Sequence, residues 1–458
     1  MNDNHLRFAF VFLLLYTFSA VLQAKTLYVD SGLGHDRNPG TAQAPFKTLK
    51  RAVKKMKGGD TLKIYGGIYR ETLRSVPGGS RMRPTVIEAV DKQMVMIRHK
   101  GKVLRLDAPY ITVRGVHLDG AYGEAAICDI NASHITIQGC TIQNSRRDLV
   151  TIASVEDIRI VQCFIHHGLS WYPQTRREPH GISTDGVKGL IIRGCTISQI
   201  TGDCIQIAPS RKDWNDVLIE DCTFYVSPLT AVEVKEAGLP EEAVGYLLAE
   251  NALDLKARKT DHASRHTITV RNVTAYGFLS DRIKNAAAFN IKNPVTAILD
   301  RITVHDSEIA FRVRRPAHAT ISNSVIYKVE VGLRYEDALP ELRVLNNTFG
   351  TDIRKNLQAA GSQPLDMVFI NNLFIGKKLP RPLRGHVRNR AIAPGLASHY
   401  FHDPARHDYH LRADCLAIDS GLPLDDAALN HDRDGRMRPL GEQWDMGAYE
   451  FNPNRAAP

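Results

Sequence analysis

Glu233, Asp254, Lys235, Lys256, Lys292, Arg312, Arg314 and Arg334 recur at fixed places in a short strand-like phrase, and together they hold the parts of an acid–base site for an anionic ligand. The phrases are LVTIA (149–153), GISTD (181–185), CIQIA (204–208), AVEVK (231–235), ALDLK (252–256), AFNIK (288–292), AFRVR (310–314) and GLRYE (332–336). Aligned on their alternating apolar residues, they set Thr151, Ser183, Gln206, Glu233, Asp254, Asn290, Arg312 and Arg334 in one outward column. Two places later, Ala153, Asp185, Ala208, Lys235, Lys256, Lys292, Arg314 and Glu336 form a second. Glu233 and Asp254, with Asp185 upstream, are hard oxygen ligands of the kind that share a calcium ion. Lysines stacked at ~5 Å repel by a little over ~3 kcal/mol at an effective dielectric near 20, which favours a neutral amine able to act as a base. Guanidinium groups bind carboxylates bidentately, so Arg312, Arg314 and Arg334 suit an acidic substrate. The same columns also read as a plain surface salt-bridge ladder.

Recurrence at coil-like intervals, 21 residues from Glu233 to Asp254 and 22 from Arg312 to Arg334, predicts a solenoid that stacks these phrases. The fold class is all-β, a right-handed parallel β-helix with an N-terminal capping helix and an irregular C-terminal tail. Strands of the form I-x-I/V run from about residue 60, and Asn346-Asn347 and Asn371-Asn372 fit tight corners. Phe46, Leu49, Val53 and Met56 recur at helical spacing within 45–59, which predicts the cap. The rhythm breaks near 385, so 25–385 is assigned to the β-helix and 386–458 to the tail. DRDG (432–435) lacks the rest of a calcium loop. Loops inserted before residue 181 and after 208 should wall the columns with Trp171, Arg176, Arg177 and Trp214, since aromatics beside cations suit acidic sugars. The loop 257–266 adds Arg258 and two candidate acids, His262 and His266.

Residues 1–24 read as a secretory signal, with an apolar run from Phe8 to Ala20 shorter than a membrane span. Export to the periplasm or medium follows, with no membrane span after signal removal. The net charge of +10 suits an acidic polysaccharide; nucleic acid is not expected, and the chain is read as a monomer. Of the seven cysteines, Cys140, Cys163, Cys195 and Cys222 occupy equivalent places and read as an inward stack.

LYVDSGLGHDRNPGTAQAPFKTLKRAV followed by GDTLKIYGGIYRE, and the tail AIDSG…DRDGRMRP…DMGAYE, resemble secreted bacterial right-handed β-helix proteins of the polysaccharide lyase type, pectate-lyase-like and chondroitinase/alginate-lyase-like. The resemblance implies β-elimination on a uronic-acid polymer: a cation neutralises the sugar carboxylate, and a base takes the C5 proton while the C4 oxygen leaves. It further implies calcium as cofactor, held by Asp185, Glu233 and Asp254, and a lysine or arginine as base, with Lys256 first and Lys235 second. GISTDG and TGDCIQI are also similar to polygalacturonase phrases, which would make Asp185 and Asp203 a hydrolase pair, although a single Asp203 stands where two acids are expected. A uronate C5-epimerase and a non-catalytic carbohydrate-binding solenoid are the other readings.

Overall fold

The computed structural model describes residues 24–454 except 92, 173, 210–212, 259–265, 281, 338, 362–365, 381–387 and 426–428. Short strands pair in parallel with their equivalents one winding before and after, giving an all-β solenoid of about 12 turns. Each winding contributes to three faces. The first opens with Thr26–Val29, Thr61–Ile64 and Thr85–Ala89, the second with Gly67–Tyr69, Val95–Arg98 and Val116–Gly123. The third opens with Leu104–Leu106 and Cys128–Ile130 and continues into Val150–Val161.

Period-2 alternation explains the core. Ile135, Ile137, Ile158, Ile160, Leu190 and Ile192 point inward and are fully buried, each file repeated by the next winding. Cys140, Cys163, Cys195 and Cys222 form the expected inward stack, buried and free, with the Cys163 amide 3.4 Å from Cys195 Sγ and the Cys195 amide 3.4 Å from Cys222 Sγ. At the corners Asn346 and Asn371 adopt φ of 55° and 58°, while Asn347 and Asn372 turn inward and bond to each other at 3.0 Å.

Two predicted elements differ. Helix α1 spans only Leu49–Lys55, because Phe46 bridges to Val29 as extended chain before Thr48 caps the helix; Leu49 and Ala52 are its buried face. AVEVK is not a strand. Ala231–Ala237 is helix α2, begun by a capping box in which the Thr230 side chain accepts from the Glu233 amide and Glu233 accepts from the Thr230 amide, and ended by Gly238 at φ 60°. The last solenoid strand is Arg390–Ile392. Beyond it the chain returns along the outside: Tyr409, Met446 and Ala448 bury against Val325 and Leu373, and Arg433 donates to Thr303 Oγ1. The segment 1–23, which carries the predicted signal, lies outside the described residues.

Candidate active site

The third face carries the site. Asp129, Thr151, Ser183, Gln206, Asp254, Asn290, Arg312 and Arg334 are direct register partners on successive windings. Gln206 therefore abuts Asp254, and the insertion containing Glu233 bulges out between their strands. Lys256 and Lys292 end the strand phrases at Asp254 and Asn290, and both turn to Asp254. Lys292 Nζ lies 2.9 Å from Oδ1 and Lys256 Nζ 3.4 Å from Oδ2. Asn290 Nδ2 donates to the same carboxylate at 2.9 Å, and Asn290 Oδ1 is buried without a hydrogen-bond partner among the described residues. Burial first, then Asp203, raises the proton affinity of Asp254, with the two lysines opposing.

The next windings make a cationic end. Arg312 Nε and Arg334 Nε each stand 2.8 Å from Glu336 Oε1, and Arg314 Nε stands 3.0 Å from Oε2. Burial works to raise the Glu336 pKa, but the three guanidinium groups, Arg312 foremost, hold it below the usual carboxylate value. From Asp254 to Glu336 five cations face two carboxylates.

A third column, at the corner leading into the face, was missed by alignment on apolar residues. Asp148, His180, Asp203 and Asn251 occupy equivalent places and bond in series. His180 Nδ1 donates to Asp148 Oδ1 at 2.9 Å, while Gln206 Nε2 donates to His180 Nε2 at 2.8 Å and to Asp203 Oδ2 at 3.0 Å. Asn251 Nδ2 donates to Asp203 Oδ1 at 2.7 Å. Burial disfavours protonated His180, yet Asp148 and Asp203 outweigh it and its pKa lies above the ordinary imidazole value. Beside them Glu250 is pushed up to about 8 by burial and then by Asp203, Glu178 and Asp254, so it holds a proton at neutral pH. The signal was present in D-LV-T, H-GI-S, D-CI-Q and N-AL-D, a polar residue three places before each central outward one.

Several predicted site residues stand elsewhere. Glu233, on α2, accepts from His167 Nε2 and Gln199 Nε2, each at 3.0 Å, and fastens the insertion to the second face. Lys235 on the same helix is likewise outside the column. Asp185 is exposed and in register with Ala208, two windings or ~9.6 Å from the level of Lys256. The three proposed calcium ligands thus do not converge, and Asp254 is already neutralised by two ammonium groups. Calcium ligation at 2.3–2.6 Å does not fit this donor set, and among the described residues no cluster of three or more His, Cys, Asp or Glu groups is arranged to hold a metal ion.

Trp214 is fully buried, its Nε1 donating to the Lys256 carbonyl at 2.7 Å, so it underlies the site rather than walling it. Trp171, 9% exposed, packs with Leu169, Leu229 and Val234 under the Arg282 guanidinium, 3.9 Å above its ring. Arg177 pairs with Glu124 and Arg258 with Asp213, and Arg176 is exposed on its loop. His266 is buried against the Trp214 carbonyl; His262 lies outside the described residues. Asp203 sits in the corner before its strand, where Gln206 and Asn251 donate to its two oxygens, while Asp185 stands exposed at the far end of the phrase one winding earlier.

The family model described as right handed beta helix region matches residues 103–227. A curated relative, the uncharacterized protein YwoF of Bacillus subtilis (strain 168), is 28% identical over 127 residues, which span 28% of this chain and only about a quarter, 25%, of that relative's own length. Among solved structures, pectate lyase Pel9A is similar over 94% of this chain and 98% of its own, at 12% identity and a TM-score of 0.50. An alginate lyase from Paenibacillus sp. str. FPU-7 aligns over 70% of this chain and 97% of its own, at 15% identity and a TM-score of 0.45. The matched family model and the pectate lyase likeness agree with the parallel windings described above, and the chain is a right-handed parallel β-helix, a fold it shares with that lyase.

Proposed function

We propose that the protein is an exported, monomeric enzyme that cleaves a uronic-acid-containing polysaccharide by β-elimination. The observation that carries this reading is the surplus of cations over carboxylates on adjacent windings of one face. Arg312, Arg314 and Arg334 bind the sugar carboxylate, which acidifies the C5 proton. Lys292, the less exposed lysine and the nearer to Asp254, stays charged and fixes that carboxylate; Lys256, with 40% of its side chain exposed against 22%, releases its proton to solvent and as the neutral amine is the base that takes the C5 proton. Glu250 delivers its proton to the departing C4 oxygen. Helix α1 and the tail serve to close the two ends of the core.

The experiment is a screen of polygalacturonate and alginate for unsaturated products by ultraviolet absorbance, with and without calcium. A rise in absorbance is expected. New reducing ends without that rise would replace elimination by hydrolysis, C5 inversion without chain shortening would indicate an epimerase, and binding without any product would leave a carbohydrate-binding solenoid.

A further inference from the structure

The third face begins well before the site. Leu73 bridges Leu104, Leu104 pairs Cys128, and the file continues through Val150, Ile182 and Ile205 to Leu253. Arg74 therefore stands in the same outward column as Asp254, six windings away, or about 29 Å at ~4.8 Å per winding. Around Arg74 two adjoining grooves, of about 630 and 490 Å³, share Arg70 and His99. The first is lined by Lys50, Lys54, Arg70 and Arg74, the second by Arg70, Arg98 and Lys100.

Most of this charge is unbalanced. Arg98 reaches Asp119 at 3.7 Å, but Lys50, Lys54, Arg70, Arg74 and Lys100 are exposed and make no ion pair among the described residues. Glu71, the carboxylate lining the first groove, is spent on helix α1: its two oxygens accept from the Leu49 and Lys50 amides, each at 3.1 Å. Five cations left without carboxylates along two adjoining grooves raise the local concentration of a polyanion.

We propose that this groove is a distal docking site for an acidic polysaccharide chain, holding the polymer on the face that carries the site. The inference rests on the substrate class proposed above, but it is tested by binding alone. The probes are polygalacturonate and alginate immobilised on a sensor, with the full chain as analyte at low and moderate salt and phosphatidylglycerol vesicles as a parallel surface. The wild-type protein should bind at least one polymer, more weakly as salt rises, because bound cations release counterions. Arg70→Glu/Arg74→Glu/Lys100→Glu should weaken that binding about tenfold or more. Lys50→Ala/Lys54→Ala, on the exposed side of α1, should give a smaller loss and guards against a misfolded triple variant. Polymer affinity unaltered in both variants, no polymer binding by the wild type, or binding to vesicles alone would overturn the proposal. Loss of polymer binding in an enzyme that proves to be no lyase would leave it standing.

Discussion

Lys292 Nζ sits 2.9 Å from Asp254 Oδ1 on the neighbouring winding, so the buried carboxylate is held from one side while Lys256, 3.4 Å from the other oxygen, keeps more of its surface. Two ammonium groups on one carboxylate differ from the uninterrupted lysine stack expected from the sequence. The pair can play unlike parts because their exposures differ.

Lys256→Ala is therefore expected to lower kcat by about 10² to 10⁴, the usual contribution of a positioned base, with the melting temperature little changed. Lys292→Ala should cost both activity and stability, since it strips the closer partner from a buried charge. Ultraviolet assay of product with parallel thermal melts separates the two, and full activity in Lys256→Ala would remove the base assignment.

As the proposed proton donor, Glu250 should set an alkaline limit. It is protonated below about 8, so donation to the leaving oxygen weakens as pH rises through that value and kcat should fall on the alkaline side. Glu250→Gln, which cannot give up a proton, should lower kcat and flatten that limb. The sign for stability is the same: burial penalises the ionised form, so the group's contribution is fully present below the ordinary glutamate pKa and lost as pH climbs through about 8. A kcat profile in Glu250→Gln that superimposes on the wild type would sink the assignment.

Arg312 and Glu336 should separate binding from chemistry. Arg312→Ala removes a charge-assisted contact of roughly 1.5–3 kcal/mol, which is expected to raise KM about 10- to 100-fold. Glu336→Gln leaves three guanidiniums without their shared anion; it should tighten retention of uronate polymers while lowering the melting temperature. Steady-state kinetics and polymer binding decide it, and an unchanged KM in Arg312→Ala would count against the carboxylate grip.

The columns were legible where strand alternation ran unbroken. Gln206, Asp254, Asn290, Arg312 and Arg334 fell into register because a repeated apolar file fixes both face and winding. AVEVK imitated the phrase with its own alternation, but Thr230-x-x-Glu233 and Gly238 were helix start and stop signals, and local hydrogen bonds won over pattern. Asp203 was named only through its resemblance to a hydrolase phrase, and its column with Asp148, His180 and Asn251 escaped because these residues sit at or before the start of each strand, outside the alternation that was aligned. The burial of Trp171 and Trp214 depends on how insertions fold over one another, a non-local outcome that no spacing records.

Chelation tests the place of calcium directly. Asp185, Glu233 and Asp254 do not meet, and in the proposed reaction the positive charge that a metal would bring comes from Lys292 and the arginines, which leaves Lys256 to act as the base. Activity should survive a strong chelator and gain nothing from added calcium. Inhibition by chelator, restored by calcium alone, would show that a different set of oxygens binds the ion and that the lysine-centred account is incomplete.

Trp214 ties the core to the chemistry. Its ring is fully buried and its Nε1 holds the Lys256 carbonyl at 2.7 Å, fixing the backbone from which the proposed base extends. Trp214→Ala opens a large cavity at a cost of about 3–5 kcal/mol, so loss of activity there would say little. Trp214→Phe keeps part of the packing; it removes the donor, about 1 kcal/mol of net stability, and leaves a smaller cavity than alanine would. A folded Trp214→Phe protein should then show a several-fold lower kcat with KM nearly unchanged, because the arginines proposed to bind substrate lie on later windings. A lowered melting temperature with kcat intact would confine Trp214 to packing and break the link between the buried tryptophan and the lysine above it.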